Sequence, residues 1–309
     1  MLTFIVNPNS GGEKGYRSWK KLERHLIKKN IAYQVFLTGC RGEARELAAR
    51  LTETVPESGD VLVAVGGDGT MNEVLDGVHL SEELVLGFIP TGRGSDLKRG
   101  LRLPRTQRAC LKRILSPREL RLMDYGVVDY GGERPEHRRF AVSCGSGFDA
   151  ALTEDFRTFS LRHCTCGCLR AAAARTALFL RCLIQGRTVK GYLLLDGVRR
   201  VELNHIFLFS AQIQPTEAGG LRLAPRVSNA DGELTVCILH NRSKLRLLRI
   251  LMLPGRRDPS AYAGVRVYNC REVKLVLEEG LPFHADGESL GIQKEFSARC
   301  VKQKLKIIS

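Results

Sequence analysis

The stretch VLVAVGGDGTMNEVLDGV, residues 61 to 78, determines how the N-terminal part of the chain is interpreted. It opens with an apolar run, Val61 to Val65, that is short enough for a buried strand. A glycine turn follows, Gly66-Gly67-Asp68-Gly69-Thr70, with Thr70 as a candidate N-cap. A helix is predicted next, because apolar residues recur at spacings of three and four, at Met71, Val74, Leu75 and Val78. Glycines that allow positive φ and close approach, next to a helix start with unpaired N–H groups, predict a phosphate site.

This turn does not identify a nucleotide by itself. It is not a Walker loop, because no Gly-Lys-Ser or Gly-Lys-Thr follows it. A tight strand-to-helix turn without a ligand is the plain alternative, since Gly-Asp-Gly would serve that turn equally well. The rest of the chain has to decide between these two interpretations.

Strand and helix patterns alternate on both sides of the turn. This alternation is typical of a mostly parallel sheet that helices cover on both faces, with ligands at the carboxyl ends of the strands. Glycine-rich loops follow three of these strands, after Val6, Val65 and Ile89. The predicted strands are 2–6, 31–38, 61–65 and 84–89, and the predicted helices are 16–29, 42–52, 71–78 and 108–115.

The pattern changes after about Asp124, where short β-rich runs separated by Asp-Gly and Glu-Gly turns predict a mostly antiparallel sandwich or flattened barrel. A helical region interrupts them at 150–184, and a short helix is predicted over 244–253. We therefore expect two domains, 1–124 and 125–309, with the last residues free to return to the first. The predicted strands of the second domain are 124–130, 140–143, 188–195, 205–211, 234–239 and 273–277.

The chain is basic, with a formal net charge of +15 over 309 residues, which favours an anionic partner. Basic residues concentrate in 98–121 and 242–257. Few aromatic residues interleave with them and no zinc-finger or RNA-binding pattern accompanies them, so we expect no nucleic acid. Attraction to an anionic membrane and a merely solvated face both remain open for these runs.

Ten cysteines are scattered along the chain. No signal peptide is indicated, because Met1 to Val6 is followed at once by Asn7-Pro8, so we expect reduced thiols and a cytoplasmic location. Cys164, Cys166 and Cys168 have a spacing that is unusual for zinc, and their role stays open. The segment Leu169 to Ile184 is too short and too charged to span a bilayer, which favours a packed helix over one at a membrane surface.

GGDGTMNEV resembles the nucleotide turn of diacylglycerol kinases, sphingosine kinases and NAD kinases. Five further segments resemble the bacterial YegS and DgkB-like lipid kinases, and they occur in that family's order along nearly the whole chain. NAD kinases lack the first of the five at its place. The segments are NPNSGG at 7–12, PTGRGSDLKR at 90–99, GSGFDA at 145–150, LAP at 223–225 with ADGEL at 230–234, and ADGE at 285–288.

This resemblance implies an α/β three-layer N-terminal domain, like that of NAD kinase and phosphofructokinase, and a mostly antiparallel β-sandwich C-terminal domain. It implies an ATP-dependent lipid kinase that transfers the γ-phosphate to the hydroxyl of diacylglycerol or a related lipid, with ATP and Mg²⁺ as cofactors. The expected partners are the lipid and an anionic membrane surface, with the protein peripheral to its inner face. A non-catalytic relative that binds lipid or nucleotide and a kinase of a soluble substrate such as NAD remain alternatives. The sequence carries no signal for the identity of the lipid or for oligomeric state.

By resemblance, one set of residues lines the nucleotide. Two positions depart from the family, which has Thr or Ser where Arg93 stands and Asn where Ser95 stands. The guanidinium of Arg93 would either hold phosphate or fill the nucleotide pocket. The set is Asn7, Pro8, Asn9, Ser10, Gly11, Thr38, Gly66, Gly67, Asp68, Gly69, Thr70, Asn72, Glu73 and Arg93.

Phosphoryl transfer needs positioned phosphates, Mg²⁺ and a carboxylate that takes the hydroxyl proton. By resemblance, Asp286 is the expected general base. Glu288, on the same side if the segment is extended, either supports it or contacts Mg²⁺, and which of the two takes the proton stays open. Asp68 is expected near the metal and phosphates. The plain alternatives are an Asp-Gly hairpin turn at Asp286 and turn-forming hydrogen bonds at Asp68.

The resemblance also implies a structural Mg²⁺ in the loop at Ser228, Asp231 and Glu233. In the family, one aspartate side chain and two main-chain carbonyls at this spacing hold the ion, and such hard oxygen ligands suit Mg²⁺. The usual Asp-Asp-Gly is Ala230-Asp231-Gly232 here, so the remaining aspartate is the one that matches the ligand.

Overall fold

The computed structural model describes residues 1–54, 59–92, 94–117, 119–162, 168–217, 220–240, 243–251 and 259–309. The chain divides into two compact units. Unit 1 is Met1–Tyr125 with Lys302–Ser309, and unit 2 is Gly126–Val301.

The strands, in chain order, are β1 (Leu2–Val6), β2 (Tyr33–Leu37), β3 (Val61–Gly66), β4 (Val85–Pro90), β5 (Leu120–Tyr130), β6 (Glu136–Phe140), β7 (Ser143–Gly147), β8 (Val189–Leu195), β9 (Arg199–Gln212), β10 (Leu234–His240), β11 (Val265–Cys270), β12 (Glu272–Ala285) and β13 (Glu288–Ile308). The helices are α1 (Ser10–Glu13), α2 (Gly15–Lys28), α3 (Glu43–Leu51), α4 (Asp68–Gly77), α5 (Asp96–Gly100), α6 (Gln107–Leu115), α7 (Phe148–Arg162), α8 (Cys168–Gln185) and α9 (Lys244–Leu251). A short 3₁₀ helix covers Pro259–Ala261.

Unit 1 is built on a parallel sheet in the order β4, β3, β1, β2, and the last residues of β13 add a further parallel strand beside β4. The central strands β1 and β3 are apolar and almost wholly buried, as a sheet covered on both faces requires. Helices α2 and α6 pack together, and α3 and α4 form a second pair. The predicted three-layer α/β fold is confirmed.

Unit 2 is antiparallel, in the order β11, β10, β9, β7, β12, β13. Strands β9 and β12 pair with β7 at one end and with β8 at the other, so each passes between the two layers of a sandwich. Apolar side chains from these strands, including Phe209, Phe283 and Phe296, form the core between the layers. The predicted antiparallel sandwich is confirmed.

The predicted helical region at 150–184 forms two helices, α7 and α8. The packed helix predicted over Leu169 to Ile184 is α8. Strands β6, β7, β11 and β13 were not predicted, and the strand predicted over 140–143 shares only Phe140 with β6 and Ser143 with β7. None of the helices in the described ranges is long and apolar enough to cross a bilayer.

Candidate active site

Three loops meet at the carboxyl ends of β1, β3 and β4 in unit 1. The Asn7 N–H donates to the Val65 carbonyl and the Thr91 N–H donates to the Gly66 carbonyl, each at 2.9 Å. The Thr91 hydroxyl also donates to Ser10 Oγ at 2.7 Å. Adjacent parallel strands end side by side, so the loops that follow them are held within hydrogen-bond distance. The structure thus brings together the three glycine-rich loops that the sequence singled out.

The side chain of Asn7 joins the first loop to the second. Its Nδ2 donates to Thr70 Oγ1 at 3.1 Å, and its Oδ1 accepts the Asn9 N–H at 3.0 Å. The prediction of Thr70 as an N-cap is wrong, because α4 begins at Asp68 with Gly67 as its N-cap. Thr70 is therefore already inside the helix, and its hydroxyl serves the contact with Asn7.

The glycines of the first and second loops matter because they have no side chain. The expected positive φ is wrong here, since Gly67 has φ −92° and ψ −176° and Gly66 is not left-handed either. A Cβ on Gly66 would lie 2.4 Å from Thr70 Oγ1, whereas one on Gly67 would meet none of the described atoms within 4 Å. In the first loop Gly11 is left-handed, with φ 64°, and its Cβ would lie 2.8 Å from the Thr91 carbonyl oxygen. The lack of a side chain at Gly11 and Gly66 allows the loops to pack closely. At Gly67 it leaves the start of α4 open to a ligand.

The carboxylate of Asp68 connects the second loop to the third. It accepts hydrogen bonds from the Ser95 hydroxyl and from the Asp96 N–H, the latter at 2.7 Å. Ser95 Oγ in turn accepts the Lys98 N–H at 3.0 Å and caps α5. These hydrogen bonds join two loops that are 27 and 28 residues apart in sequence, and so differ from the turn-forming bonds of the plain alternative. Ser95, where the resemblance expects Asn, therefore connects the second loop to the third.

The remaining predicted nucleotide residues lie around this cluster. Thr38 follows β2, is buried, and donates both its N–H and its hydroxyl to the Val6 carbonyl. Asn72 and Glu73 lie in the first two turns of α4, Asn72 fully buried and Glu73 half-buried. Arg93 lies outside the described residues.

In unit 2, Asp286 and Gly287 form the two-residue turn between β12 and β13, and Ala285 pairs with Glu288 across it. Both turn residues are left-handed, with φ 49° and 81°. The segment is not extended, so the condition for Asp286 and Glu288 to share one side is not met, and the Asp-Gly hairpin turn of the plain alternative is present. We call residues 286–288 the D-G-E turn.

The carboxylate of Asp286 is held by main-chain donors. It accepts N–H groups from Ala141 at 2.7 Å, Val142 at 2.8 Å and Ser143 at 3.0 Å. The Asp286 N–H donates to the Ser143 carbonyl at 2.8 Å. The orientation of this carboxylate is therefore fixed by the segment just before β7.

A buried polar network, which sequence analysis did not find, lies beneath the D-G-E turn. His284 Nε2 is 3.1 Å from Asp149 Oδ2, and His284 Nδ1 accepts the Gly287 N–H at 3.2 Å. In another part of this network, Ser210 Oγ donates to Glu217 Oε2 at 2.5 Å. The GSGFDA segment contains Asp149, but its partner is 135 residues away in sequence.

Burial and charge shift the pKa values of this network. Burial raises the pKa of Glu217 to about 7, and the nearby Asp149 carboxylate adds to the effect. For His284, burial lowers the pKa, but the hydrogen bond and charge of Asp149 and the charges of Glu217 and Asp286 outweigh it, and the pKa is raised. The folded chain therefore favours the protonated forms of Glu217 and His284 more than the unfolded chain does.

A cavity of about 350 Å³ opens in unit 2 beside this network. Its apolar wall comes from α7 and the β12–β13 hairpin, with Phe148, Leu281 and Ile292 among its residues. Arg181 and Arg187 lie at its polar side. Two of its lining residues are close in sequence to this network, Phe148 directly before Asp149 and Pro282 two residues before His284.

Comparison with known proteins covers both units. Residues 1–128 match the diacylglycerol kinase catalytic domain, and residues 143–309 match the YegS C-terminal NAD kinase beta sandwich-like domain. The chain belongs to the YegS and diacylglycerol kinase family. It is 27% identical over 302 residues to YtlR of Bacillus subtilis (strain 168), a candidate lipid kinase, with 93% of each chain covered. It is 24% identical to a diacylglycerol kinase of the same organism, over 93% of this chain and 89% of that one.

A solved diacylglycerol kinase structure from Bacillus anthracis str. Sterne superposes with a TM-score of 0.70 at 17% identity, covering 99% of this chain and 96% of that one. Such a likeness shows the shared fold. As a member of this kinase family the chain is expected to use ATP, and the loop cluster of unit 1 lies where α/β sheets bind such ligands.

The loop predicted to hold a structural Mg²⁺ in this kinase offers one exposed carboxylate. Asp231 Oδ1 accepts the Glu233 N–H at 3.1 Å, and Ser228 Oγ accepts the Ala230 N–H at 3.3 Å. Within the described ranges, no group of three or more His, Cys, Asp or Glu side chains has the geometry of a metal site. Oxygen donors fit Mg²⁺ in chemical type, and the Ser228, Asp231 and Glu233 set stays a prediction.

The cysteine cluster falls on 164–168, of which 164–167 lie outside the described residues.

Proposed function

We propose that the protein is an ATP-dependent lipid kinase that transfers the γ-phosphate of Mg·ATP to a hydroxyl of diacylglycerol or a related lipid. Membership of the kinase family supports phosphoryl transfer but does not identify the acceptor, which therefore needs separate evidence. The apolar cavity lined by α7 and the β12–β13 hairpin supports a lipid acceptor, because lipid chains need apolar volume.

ATP is assigned to the loop cluster of unit 1. The open space over Gly67 and the start of the ten-residue helix α4 provide N–H donors and a positive dipole end for its phosphates. Three hydrogen bonds hold the loops together, and they join Asn7 to Thr70, Thr91 to Ser10 and Asp96 to Asp68. Preorganised donors of this kind are what phosphoryl transfer requires of a protein.

The lipid hydroxyl is activated by the D-G-E turn. As its oxygen forms a bond to the γ-phosphorus, the bond from that phosphorus to the β–γ bridging oxygen breaks and ADP leaves. The hydroxyl proton passes to a carboxylate of the turn, with Asp286 and Glu288 as the two candidates. Mg²⁺ enters as part of Mg·ATP and neutralises phosphate charge. Asp231 with Ser228 and Glu233 would hold a second, structural ion through oxygen ligands.

A membrane surface would present such a lipid. Helices α8 and α9 carry exposed apolar side chains, Ile184 at 72% and Leu245 at 69%, next to basic residues such as Arg181, Arg246 and Arg249. Apolar contact combined with positive charge favours a peripheral location on anionic lipid, at about 1 kcal/mol per basic residue near the surface. We assign the protein to the cytoplasmic face on this basis.

The test is transfer of labelled phosphate from Mg·ATP to dioleoylglycerol in detergent micelles, with NAD and glycerol as soluble acceptors in parallel reactions. Labelled phosphatidate supports the proposal, and labelling of NAD alone refutes it.

Ala151→Trp, which fills the cavity, should raise KM for the lipid and leave KM for ATP unchanged. Val198→Trp, at a side chain that is 86% exposed, serves as the matched control.

A further inference from the structure

His284 and Asp149 contact each other in a space that is open because residue 145 is a glycine. Strands β7 and β12 pair so that Gly145 lies opposite His284. A Cβ on Gly145 would lie 1.9 Å from Asp149 Oδ2 and 2.9 Å from His284 Nε2. Both side chains are at most 5% exposed. The first glycine of the GSGFDA segment is therefore needed to admit this pair.

The hydrogen bonds of His284 define where its proton lies. Nδ1 accepts the Gly287 N–H and therefore carries no proton, so the proton of the neutral ring is on Nε2 and points at Asp149. Gly287 is the central residue of the D-G-E turn. The imidazole thus connects α7, which carries Asp149, to the backbone between Asp286 and Glu288.

A second proton on His284 would break this arrangement. Protonated Nδ1 is a donor and would face the Gly287 N–H, which is also a donor. Acidic groups surround the ring on several elements and favour that second proton. They are Asp149 on α7, Glu217 after β9 and Asp286 in the turn, with the neutral thiol of Cys144 on β7 among them.

We propose that His284 and Asp149 are positioning residues for phosphoryl transfer: the neutral imidazole holds the Gly287 amide and with it the D-G-E turn, and proton uptake by the ring releases the turn. The catalytic consequence rests on the proposed function. The turn then positions its carboxylates when the ring is neutral and loosens as the ring is protonated.

Two amide substitutions separate the two contacts. In His284→Asn the side-chain oxygen replaces Nδ1 and keeps an acceptor for Gly287, but no group reaches Asp149. In His284→Gln the amide reaches Asp149, but nothing accepts the Gly287 N–H. Loss of packing alone would affect both variants equally, and thermal unfolding shows whether both remain folded.

The kinetic test measures kcat and KM for ATP with dioleoylglycerol micelles between about pH 5 and pH 8, the range in which histidines titrate. At pH 8, His284→Asn should keep kcat within about threefold of the parent, and His284→Gln should lose at least tenfold with KM for ATP unchanged, since misplacement by about 1 Å costs up to about 100-fold. The fall of kcat toward acid should move to lower pH in His284→Asn. Equal losses in the two variants, or an unmoved acid limb, overturn the proposal.

A second readout does not depend on activity. In the ¹⁵N-glycine-labelled chain, the Gly287 amide shift should follow the titration of the His284 ring in the parent and stay constant in His284→Asn. If no lipid is phosphorylated while this shift titrates, the proposed function fails and the coupling of ring and turn stands. A Gly287 shift that ignores the ring titration overturns the inference whatever the activity is.

Discussion

The loop cluster of unit 1 and the D-G-E turn of unit 2 are held in different ways. In unit 1, neutral side chains, main-chain groups and glycines that admit close packing hold three loops together, with Asp68 as the carboxylate among them. In unit 2, the turn depends on His284, Asp149 and Glu217, which are ionisable and almost wholly buried. The first arrangement is insensitive to pH near neutrality, whereas the second changes with the protons that it holds.

Because of this difference, we expect ATP binding to depend on unit 1 and the catalytic rate to depend on unit 2. Affinity for ATP should depend on shape and hydrogen bonding in unit 1. Rate and pH dependence should depend on the network of unit 2. The following variants test that separation, beginning with the largest expected effect.

Glu288→Gln should lower kcat about 100-fold or more, because an amide can neither take the hydroxyl proton nor supply the negative charge that supports Asp286 as the base, and general-base catalysis is worth about that factor. KM for ATP should stay unchanged, since unit 1 is untouched. Steady-state kinetics with dioleoylglycerol micelles measure both constants. Glu295→Gln, on the same strand and in a surface ion pair with Lys274, is the control and should keep full activity. A rise in KM for ATP without loss of kcat would contradict the separation.

Gly67→Ala should weaken ATP binding at least about tenfold, equivalent to about 1.4 kcal/mol, and leave the fold unchanged. The added methyl enters the open space assigned to the phosphates, and the backbone at Gly67 is extended. Gly66→Ala is the contrasting variant, because its methyl would collide with Thr70 and should cost about 1–3 kcal/mol of stability. Calorimetric titration with Mg·ATP and thermal unfolding distinguish the two. Unchanged ATP affinity in Gly67→Ala would remove ATP from this site.

Glu217→Gln should be more stable than the parent at pH 8. Burial raises the pKa of Glu217 from 4.5 to about 7, so the folded state binds this proton more tightly than the unfolded state does. Stability from this group is therefore present at low pH and is lost as pH rises through about 7. The neutral amide removes that loss, which is on the order of 2 kcal/mol at pH 8. Urea unfolding at pH 5 and pH 8 measures it, and an identical pH dependence in parent and variant would contradict the buried network.

Thr70→Val should lower the free energy of unfolding by about 1 kcal/mol, because it removes the acceptor for Asn7 Nδ2 and keeps the size of the side chain. The loss should not depend on pH, in contrast to that of Glu217. Denaturant unfolding at the same two pH values checks both statements. A pH-dependent loss would show that the loop cluster is coupled to an ionisable group.

The same contrast explains what could be predicted from the sequence. The strand, turn and helix at 61–78 are encoded by neighbouring residues, so their order and type were predicted correctly. Strand β13 was missed because Lys, Gln and Glu in its sequence are weak strand formers, and its pairing with β12 and β4 supplies the stability. Thr70 was assigned as a cap because the pattern cannot show that α4 starts two residues earlier.

The D-G-E motif was recognised, but its supports were not. His284 and Asp149 lie 135 residues apart, and Asp286 contacts the amides of 141–143. Contacts of this kind depend on strand register across β7 and β12, which local patterns do not contain. The buried network therefore became visible only in the folded chain.

The most direct test of the central claim compares Asp286→Asn with Asp196→Asn. Both aspartates are left-handed residues of Asp-Gly turns, with φ 49° and 51°. Both carboxylates accept main-chain N–H groups, those at Asp196 coming from Arg271 at 2.8 Å and Glu272 at 2.9 Å. Asp286 accepts one N–H group more than Asp196 does, so thermal unfolding of both variants measures the structural cost, and the D-G-E turn is proposed to have a chemical role in addition.

Transfer of labelled phosphate from Mg·ATP to dioleoylglycerol is measured for the parent and both variants, each shown to be folded. The parent and Asp196→Asn should yield labelled phosphatidate at similar rates, and Asp286→Asn should fall at least about 100-fold below them. Equal rates in the two variants would contradict a catalytic role for the turn. No labelled lipid from the folded parent would contradict the lipid kinase itself.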